Sequence, residues 1–151
     1  MKVIYLIGSN SDRPTIEPGL EFLEKMGVKV EVLVTSAHRT PERTVKIVKE
    51  KEKEADVFVA VAGGAAHLAG VVAAHTVKPV IGLPVAVAPF NGLDSLLSMV
   101  QMPRGVPVAV VSVGKWGGLN SAILACEILA IKYPELAEKL EKYREELRAK
   151  V

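Results

Sequence analysis

Apolar positions fall along this chain in short unbroken runs separated by amphipathic stretches. Residues 3–7 and 57–62 are apolar without alternation, which predicts strands buried on both faces. Residues 28–34 alternate apolar and charged side chains in their first half, so this strand belongs at a sheet edge. Residues 79–83 and 106–113, the latter interrupted only by Pro107, supply two more strands. Between them lie helical patterns. One runs from Pro14 to about Met26, where Gly27 stops it. Another opens at Thr40-Pro41-Glu42 with a cap residue, a proline and an acidic first turn. A short small-residue helix is predicted over about 66–75, one begins near Gly92-Leu93-Asp94, and one covers about 120–132 after the loop 114–118.

Five strands alternating with helices require parallel pairing through right-handed crossovers, hence a three-layer α/β sheet. With the second strand at the edge, the predicted order is 2-1-3-4-5, a flavodoxin-like arrangement. An extra C-terminal helix, about 134–150, carries Leu136, Leu140, Tyr143 and Leu147 at spacings of four, three and four. Its stripe can pack on its own sheet or on a neighbouring subunit. The charge run 49–54 reads as a solvated face.

Composition narrows the class. With 151 residues, half of them hydrophobic, the chain reads as a single domain over 1–151. A net charge of +2 from 19 basic and 17 acidic residues, without a basic cluster, argues against a nucleic-acid surface. The lone Cys126 cannot form an internal disulfide and sits in an apolar helical pattern, as a small buried hydrophobe in a reducing cytoplasm would. No charged leader or membrane-length apolar run appears, so the expected setting is the cytoplasm, with no membrane partner.

Ligands of such sheets bind beyond the carboxyl ends of the strands. The loops after strands one, two and three supply Ser9, Ser11, Asp12, Ser36, His38, Arg39, Gly63, Gly64 and His67. Ser9, Ser11, loop N–H groups and Arg39 together suit a dianionic phosphate, since the guanidinium offers a fork of donors and helix starts carry positive dipole ends. Asp12 would repel a phosphate and better suits sugar hydroxyls. The glycines let the backbone turn tightly and approach a ligand closely. His38 and His67 are acid/base groups beside this pocket. Ser9 and Asp12 fit equally as turn and cap residues, Arg39 as a surface cation, and His67 as a histidine at a helix start. His75, near a helix end, suits a favourable dipole partner.

Missing motifs sharpen the reading. No Gly-x-x-x-x-Gly-Lys-Ser/Thr loop, no Gly-x-Gly-x-x-Gly after the first strand and no zinc-ligand spacing occurs. The residues therefore point to proton transfer on a phosphorylated sugar or mononucleotide, with no metal and no cofactor expected.

At these residues the chain resembles the PurE family, the 5-(carboxyamino)imidazole ribonucleotide mutases of purine biosynthesis. Gly8-Ser9-Asn10-Ser11-Asp12 is similar to the family's Gly-Ser-x-Ser-Asp loop, and Ser36-Ala37-His38-Arg39-Thr40-Pro41 to its Ser-Ala-His-Arg-Thr-Pro motif. Ala62-Gly63-Gly64-Ala65-Ala66-His67-Leu68, Gly92-Leu93-Asp94-Ser95-Leu96 and the stretch from Val100 to Val108 also fit, in order and over nearly the whole chain. The resemblance implies that Ser9, Ser11 and Arg39 bind the phosphate, that Asp12 binds ribose, and that His38 and His67 move protons. Ser36 and Gly64 complete the expected substrate contacts. It further implies a homo-octamer with sites near subunit contacts, and a carboxylate moved from the exocyclic nitrogen to a ring carbon without biotin or ATP.

The chain departs from the family pattern at three places. Arg13 replaces a tryptophan, Pro84-Val85-Ala86-Val87 replaces Pro-Val-Gln-Ser, and Gly114-Lys115-Trp116-Gly117 replaces Gly-Lys-Ala-Gly. Alternatives at this stage are a carboxylase using carbon dioxide and aminoimidazole ribonucleotide, a PurE-like carboxylase of another mononucleotide, and a non-catalytic mononucleotide-binding module.

Overall fold

The structure, a computed structural model, describes residues 1–150. Its sheet is parallel throughout, with strands β1 (Lys2–Ile7), β2 (Lys29–Val34), β3 (Val57–Gly63), β4 (Val80–Val85) and β5 (Ala109–Val110). The order is β2-β1-β3-β4-β5, as the edge character of β2 predicts. Helices α1 (Arg13–Met26), α2 (Pro41–Lys51), α3 (Leu68–Ala73), α4 (Leu93–Val100), α5 (Lys115–Ala130) and α6 (Pro134–Arg148) complete the chain.

Side chains alternate across the central strands, so each apolar run feeds two cores. Val3, Tyr5, Ile7, Val57, Val59 and Val61 pack with α1, α5 and α6. Ile4, Leu6, Phe58 and Ala60 pack on the other side with Val48 of α2, Leu68 and Val72 of α3 and Met99 of α4. Both faces are covered, which is why these runs contain no polar alternation.

Local chemistry sets the ends. Gly27 terminates α1 in the left-handed region (φ 78°), and the Val28 N–H closes the turn on the Leu23 carbonyl at 2.9 Å. Helices α1 and α5 cross at backbone contact, because an added Cβ at Gly19 would lie 2.2 Å from the Gly118 carbonyl oxygen. This crossing explains one difference from the pattern. Residues 115–118 of the stretch expected as loop are the first turn of α5, where Gly117 and Gly118 serve packing, while Gly114 (φ 73°) makes the turn that precedes it. A Cβ at Gly117 would lie 1.7 Å from the Ser112 carbonyl oxygen.

Three further expectations need correction. The fifth strand, expected over 106–113, pairs with β4 only at Ala109–Val110, since Pro107 has no N–H to donate and the segment is an outer edge. Helix α3 covers six residues rather than 66–75, and His67 stands at its N-cap. The charge run 49–54 lies at the surface but is partnered: Lys51 and Glu54 close a ring of ion pairs with Lys2 and Glu31 at the amino-terminal edge of the sheet. Glu52 accepts from the Thr76 hydroxyl at 2.7 Å.

Helix α6 packs on its own chain. Leu136 and Leu140 are buried, and Tyr143 meets the Phe22 ring edge-on at 4.9 Å, while Leu147 stays 43% exposed. Cys126 is buried, which pushes its thiol up to about 12. His75 bonds the Val71 carbonyl through Nδ1 at 2.8 Å, at the end of α3. Among the described residues no helix is long and apolar enough to cross a membrane.

Candidate active site

Four strands end at one cavity of about 430 Å3. Gly8, Ser9 and Asp12 come from the β1 turn, Ser36, Ala37, His38 and Arg39 from the β2 loop, and Ala62 to Ala65 with His67 and Leu68 from the end of β3. Val87 comes from the loop after β4. The turns are tied to the sheet by the Gly8 N–H on the Val61 carbonyl (2.9 Å) and the Thr35 N–H on the Ile7 carbonyl (3.0 Å).

The first turn is a reciprocal cap. Ser9 N–H donates to Asp12 Oδ2 at 3.0 Å, and Ser9 Oγ accepts from the Ser11 N–H (3.3 Å) and hydroxyl (2.8 Å). Both acceptor positions of the Ser9 oxygen are thus used, so its hydrogen remains to donate to an anion. Ser11 does not line the cavity; it aims Ser9. Asp12 is 8% exposed, and burial raises its carboxyl above the usual carboxylate range, partly countered by the Ser9 N–H.

The β2 loop is braced by hydroxyls. Thr40 Oγ1 accepts from the Ser36 N–H and donates to the Ser36 carbonyl, both at 3.1 Å, instead of capping α2 with its side chain. Thr35 and Thr44 are buried with their hydroxyls 2.8 Å apart. Ser36 Oγ accepts the Arg39 N–H at 3.2 Å, so Ser36 shapes the loop that presents Arg39. Arg39 is exposed and touches the β1 turn through Nη2 on the Gly8 carbonyl at 3.4 Å, leaving its other donors open. Ser9 and Arg39 thus line one cavity with open donors, the chemistry that an oxyanion accepts.

At β3, Gly64 takes φ 63°, a conformation side chains rarely adopt. It swings the chain so that His67 meets the β2 loop. His38 Nε2 and His67 Nδ1 are 2.7 Å apart, and the rings meet edge to face with centroids 4.8 Å apart. A hydrogen bond at this distance needs one of the two nitrogens to carry a proton and the other to accept it. A proton entering one ring at its outer nitrogen can leave from the outer nitrogen of the other, and both rings cannot be cationic without opposing two N–H groups.

Sequence reasoning found the polar residues and, in the departure at Ala86-Val87, a fourth loop without polar groups for the pocket, of which Val87 does line the cavity; it missed Ala37, Ala65 and Leu68. Short apolar residues after β2 and β3 carry no signal of their own. Trp116, which departs from the family pattern, is 82% exposed and outside the cavity, and Arg13 is exposed and outside it too. Among the described residues no group of three or more His, Cys, Asp or Glu gathers as a metal site would require.

Comparison with known proteins agrees with this geometry. The chain is 49% identical to the N5-carboxyaminoimidazole ribonucleotide mutase of Pyrococcus horikoshii, covering 97% of this chain and 82% of that one. It is 52% identical to the protein of the same name from Methanocaldococcus jannaschii, over 99% of this chain and 92% of that one. The crystal structure of Treponema denticola PurE superposes with a TM-score of 0.89 at 30% identity, covering 99% and 92% of the two chains. The family model described as AIR carboxylase matches residues 2–150. A parallel 2-1-3-4-5 sheet with its loops gathered into one nucleotide-sized cavity, and a sequence matched from end to end, make this chain a member of the AIR carboxylase family.

Proposed function

We propose that the chain is an N5-carboxyaminoimidazole ribonucleotide mutase of purine biosynthesis, converting 5-(carboxyamino)imidazole ribonucleotide to 5-amino-4-carboxyimidazole ribonucleotide. It works as one domain, in the cytoplasm. The observation that carries this reading is the 2.7 Å contact of His38 and His67 in the same cavity as Ser9 and Arg39.

Ser9, oriented by Ser11, and Arg39 hold the phosphate, Asp12 the ribose, and Ser36 and Gly64 shape the loops around the base. The histidine pair then gives a proton to the exocyclic nitrogen. The N–C bond breaks with its electron pair left on nitrogen, and carbon dioxide is released beside the ring. The electron-rich ring carbon attacks it, and the proton of that carbon returns to the pair. The pair ends as it began, and the carboxylate arrives with the substrate, so neither ATP nor biotin takes part. The enzyme acts as a homo-octamer in this reading. Uncovered apolar side chains at Phe90 and along α4 at Leu93, Leu97 and Val100, each more than half exposed, support an associating surface.

The test supplies purified protein separately with the N-carboxylated ribonucleotide and with aminoimidazole ribonucleotide plus bicarbonate. Carbon-carboxylated product from the first mixture is expected; product from the second alone assigns a carboxylase instead. His38→Asn should abolish turnover and leave ribonucleotide binding within about tenfold. Unchanged turnover would remove His38 as the proton carrier.

A further inference from the structure

His38 lies on a turn rather than on a strand or helix, yet its ring meets His67 at 2.7 Å. The Thr40 N–H donates to the Ser36 carbonyl at 2.9 Å, so Ala37, His38 and Arg39 form one closed turn between the end of β2 and the start of α2. Thr40 Oγ1 bonds both the N–H and the carbonyl of Ser36 and closes the same turn a second time. Two further hydroxyls adjoin it, and neither the phosphate donors nor the proton transfer uses them. Thr35 is 3% exposed and Thr44 is fully buried.

The Thr44 hydroxyl donates to the Thr40 carbonyl at 3.2 Å, which leaves its oxygen to accept from Thr35 at 2.8 Å. One side chain thus grips the last residue of the turn and the residue just before it. Thr35 also stands 3.3 Å from Thr40 Oγ1, and its N–H on the Ile7 carbonyl at 3.0 Å sets it in register with β1. On its other side β1 pairs with β3, the strand that leads to His67. Packing alone does not require a hydroxyl here. One turn further along α2 the same face carries Val48, equally buried, and valine has the shape of threonine. A buried hydroxyl is tolerated only when bonded, and these are bonded to each other and to the turn.

We propose that Thr44 is a positioning residue for proton transfer: its hydroxyl, with those of Thr35 and Thr40, locks the Ser36–Thr40 turn to the sheet and so holds His38 against His67. Thr44 itself lies outside the cavity lining and touches no substrate. The effect on turnover rests on the mutase reading given above; the effect on the histidine pair does not.

Thr44→Val keeps the shape and removes the hydroxyl, and Thr44→Ser keeps the hydroxyl. Proteins carrying 15N-labelled histidine are compared by NMR at one pH, at a temperature where circular dichroism shows each of them folded. The His67 Nδ1 resonance of His38→Asn marks that nitrogen without its partner. In Thr44→Val the resonance should move from the parent position toward the His38→Asn position. There kcat on the N-carboxylated ribonucleotide should fall about 10- to 100-fold with KM within about threefold, since the long Arg39 chain can follow the phosphate and a short imidazole cannot. Thr44→Ser should match the parent in both readings. An unmoved resonance or an unchanged kcat in Thr44→Val overturns the proposal, and so does a Thr44→Ser protein as impaired as Thr44→Val. Should Thr44→Val not fold, Thr40→Val removes an exposed hydroxyl of the same lock and carries the same expectations, and an unmoved resonance there overturns the proposal. A parent protein that makes no product from the N-carboxylated ribonucleotide overturns the mutase reading, while the resonance comparison still decides the positioning.

Discussion

Replacing Gly19 by alanine sets helix propensity against packing, and the two predict opposite signs. Alanine in a helix interior is favoured over glycine by about 1 kcal/mol, so propensity alone predicts a more stable protein. In the structure the new Cβ would sit 2.2 Å from the Gly118 carbonyl oxygen and 3.2 Å from the Ala122 Cβ, where ordinary contact begins at 3.4 Å. The neighbour is helical backbone, so α1 and α5 must part by roughly 1 Å along a buried seam. Overpacking of this kind costs about 1–3 kcal/mol, and a rigid carbonyl places this site at the upper end. Net of the propensity gain, a loss of about 2 kcal/mol is expected, which in a chain of 151 residues lowers Tm by about 4–8 °C. Thermal unfolding followed by circular dichroism measures it, with Glu17→Ala on the exposed side of α1 as the reference expected within about 0.5 kcal/mol of the parent. Gly118→Ala tests the same seam from α5, where a Cβ would meet the Thr15 carbonyl oxygen at 1.9 Å, and the two losses should not add. A Gly19→Ala protein as stable as the parent, or more so, would refute the argument that this crossing is closed by backbone contact.

Arg39→Met should weaken binding of the ribonucleotide by about 10- to 100-fold, the worth of a charge-assisted bond to phosphate, with a smaller effect on binding of the dephosphorylated nucleoside; equal losses for both ligands, in calorimetric titrations, would show that Arg39 does not meet the phosphate. Asp12→Asn should gain stability relative to the parent as pH rises: the folded parent holds a proton that the unfolded chain has released, so the parent loses stability through the window above the ordinary carboxylate range, and the asparagine does not. Denaturant midpoints from pH 3 to 7 would show the asparagine variant gaining on the parent as pH rises, and a constant difference would contradict it. Lys2 and Lys51 depress Glu54 from 4.5 to about 2, so its stabilisation is complete above 4.5 and lost as pH falls toward 2. The advantage of the parent over Glu54→Gln should vanish across that range and shrink with added salt; an advantage that persists at pH 2 would sink this account.

The sequence by itself determined the sheet. Apolar runs without alternation can only be buried on both faces, and the single half-alternating strand then had to lie at the edge, which gives the 2-1-3-4-5 order. It also determined which loops carry donors and imidazoles, because polar and glycine residues directly after buried strands have few other uses. Tertiary structure decided what depends on distance between remote residues. Gly117 and Gly118 read as a loop in the chain and prove to be helix, since only the approach of Ser112 and Thr15 reveals why they lack side chains. The stripe of α6 is equally suited to either neighbour until Phe22 is found against Tyr143. The same holds at the cavity. Twenty-nine residues separate His38 from His67, and their 2.7 Å contact is made by the pairing of β1 with both β2 and β3. Val87 is an ordinary apolar residue in sequence; it lines the cavity because β4 lies beside β3 and Gly63 leaves room for a methyl group. Hydrophobic period is a local property and can be read locally, whereas contact between loops is fixed only once the strands beneath them are in register.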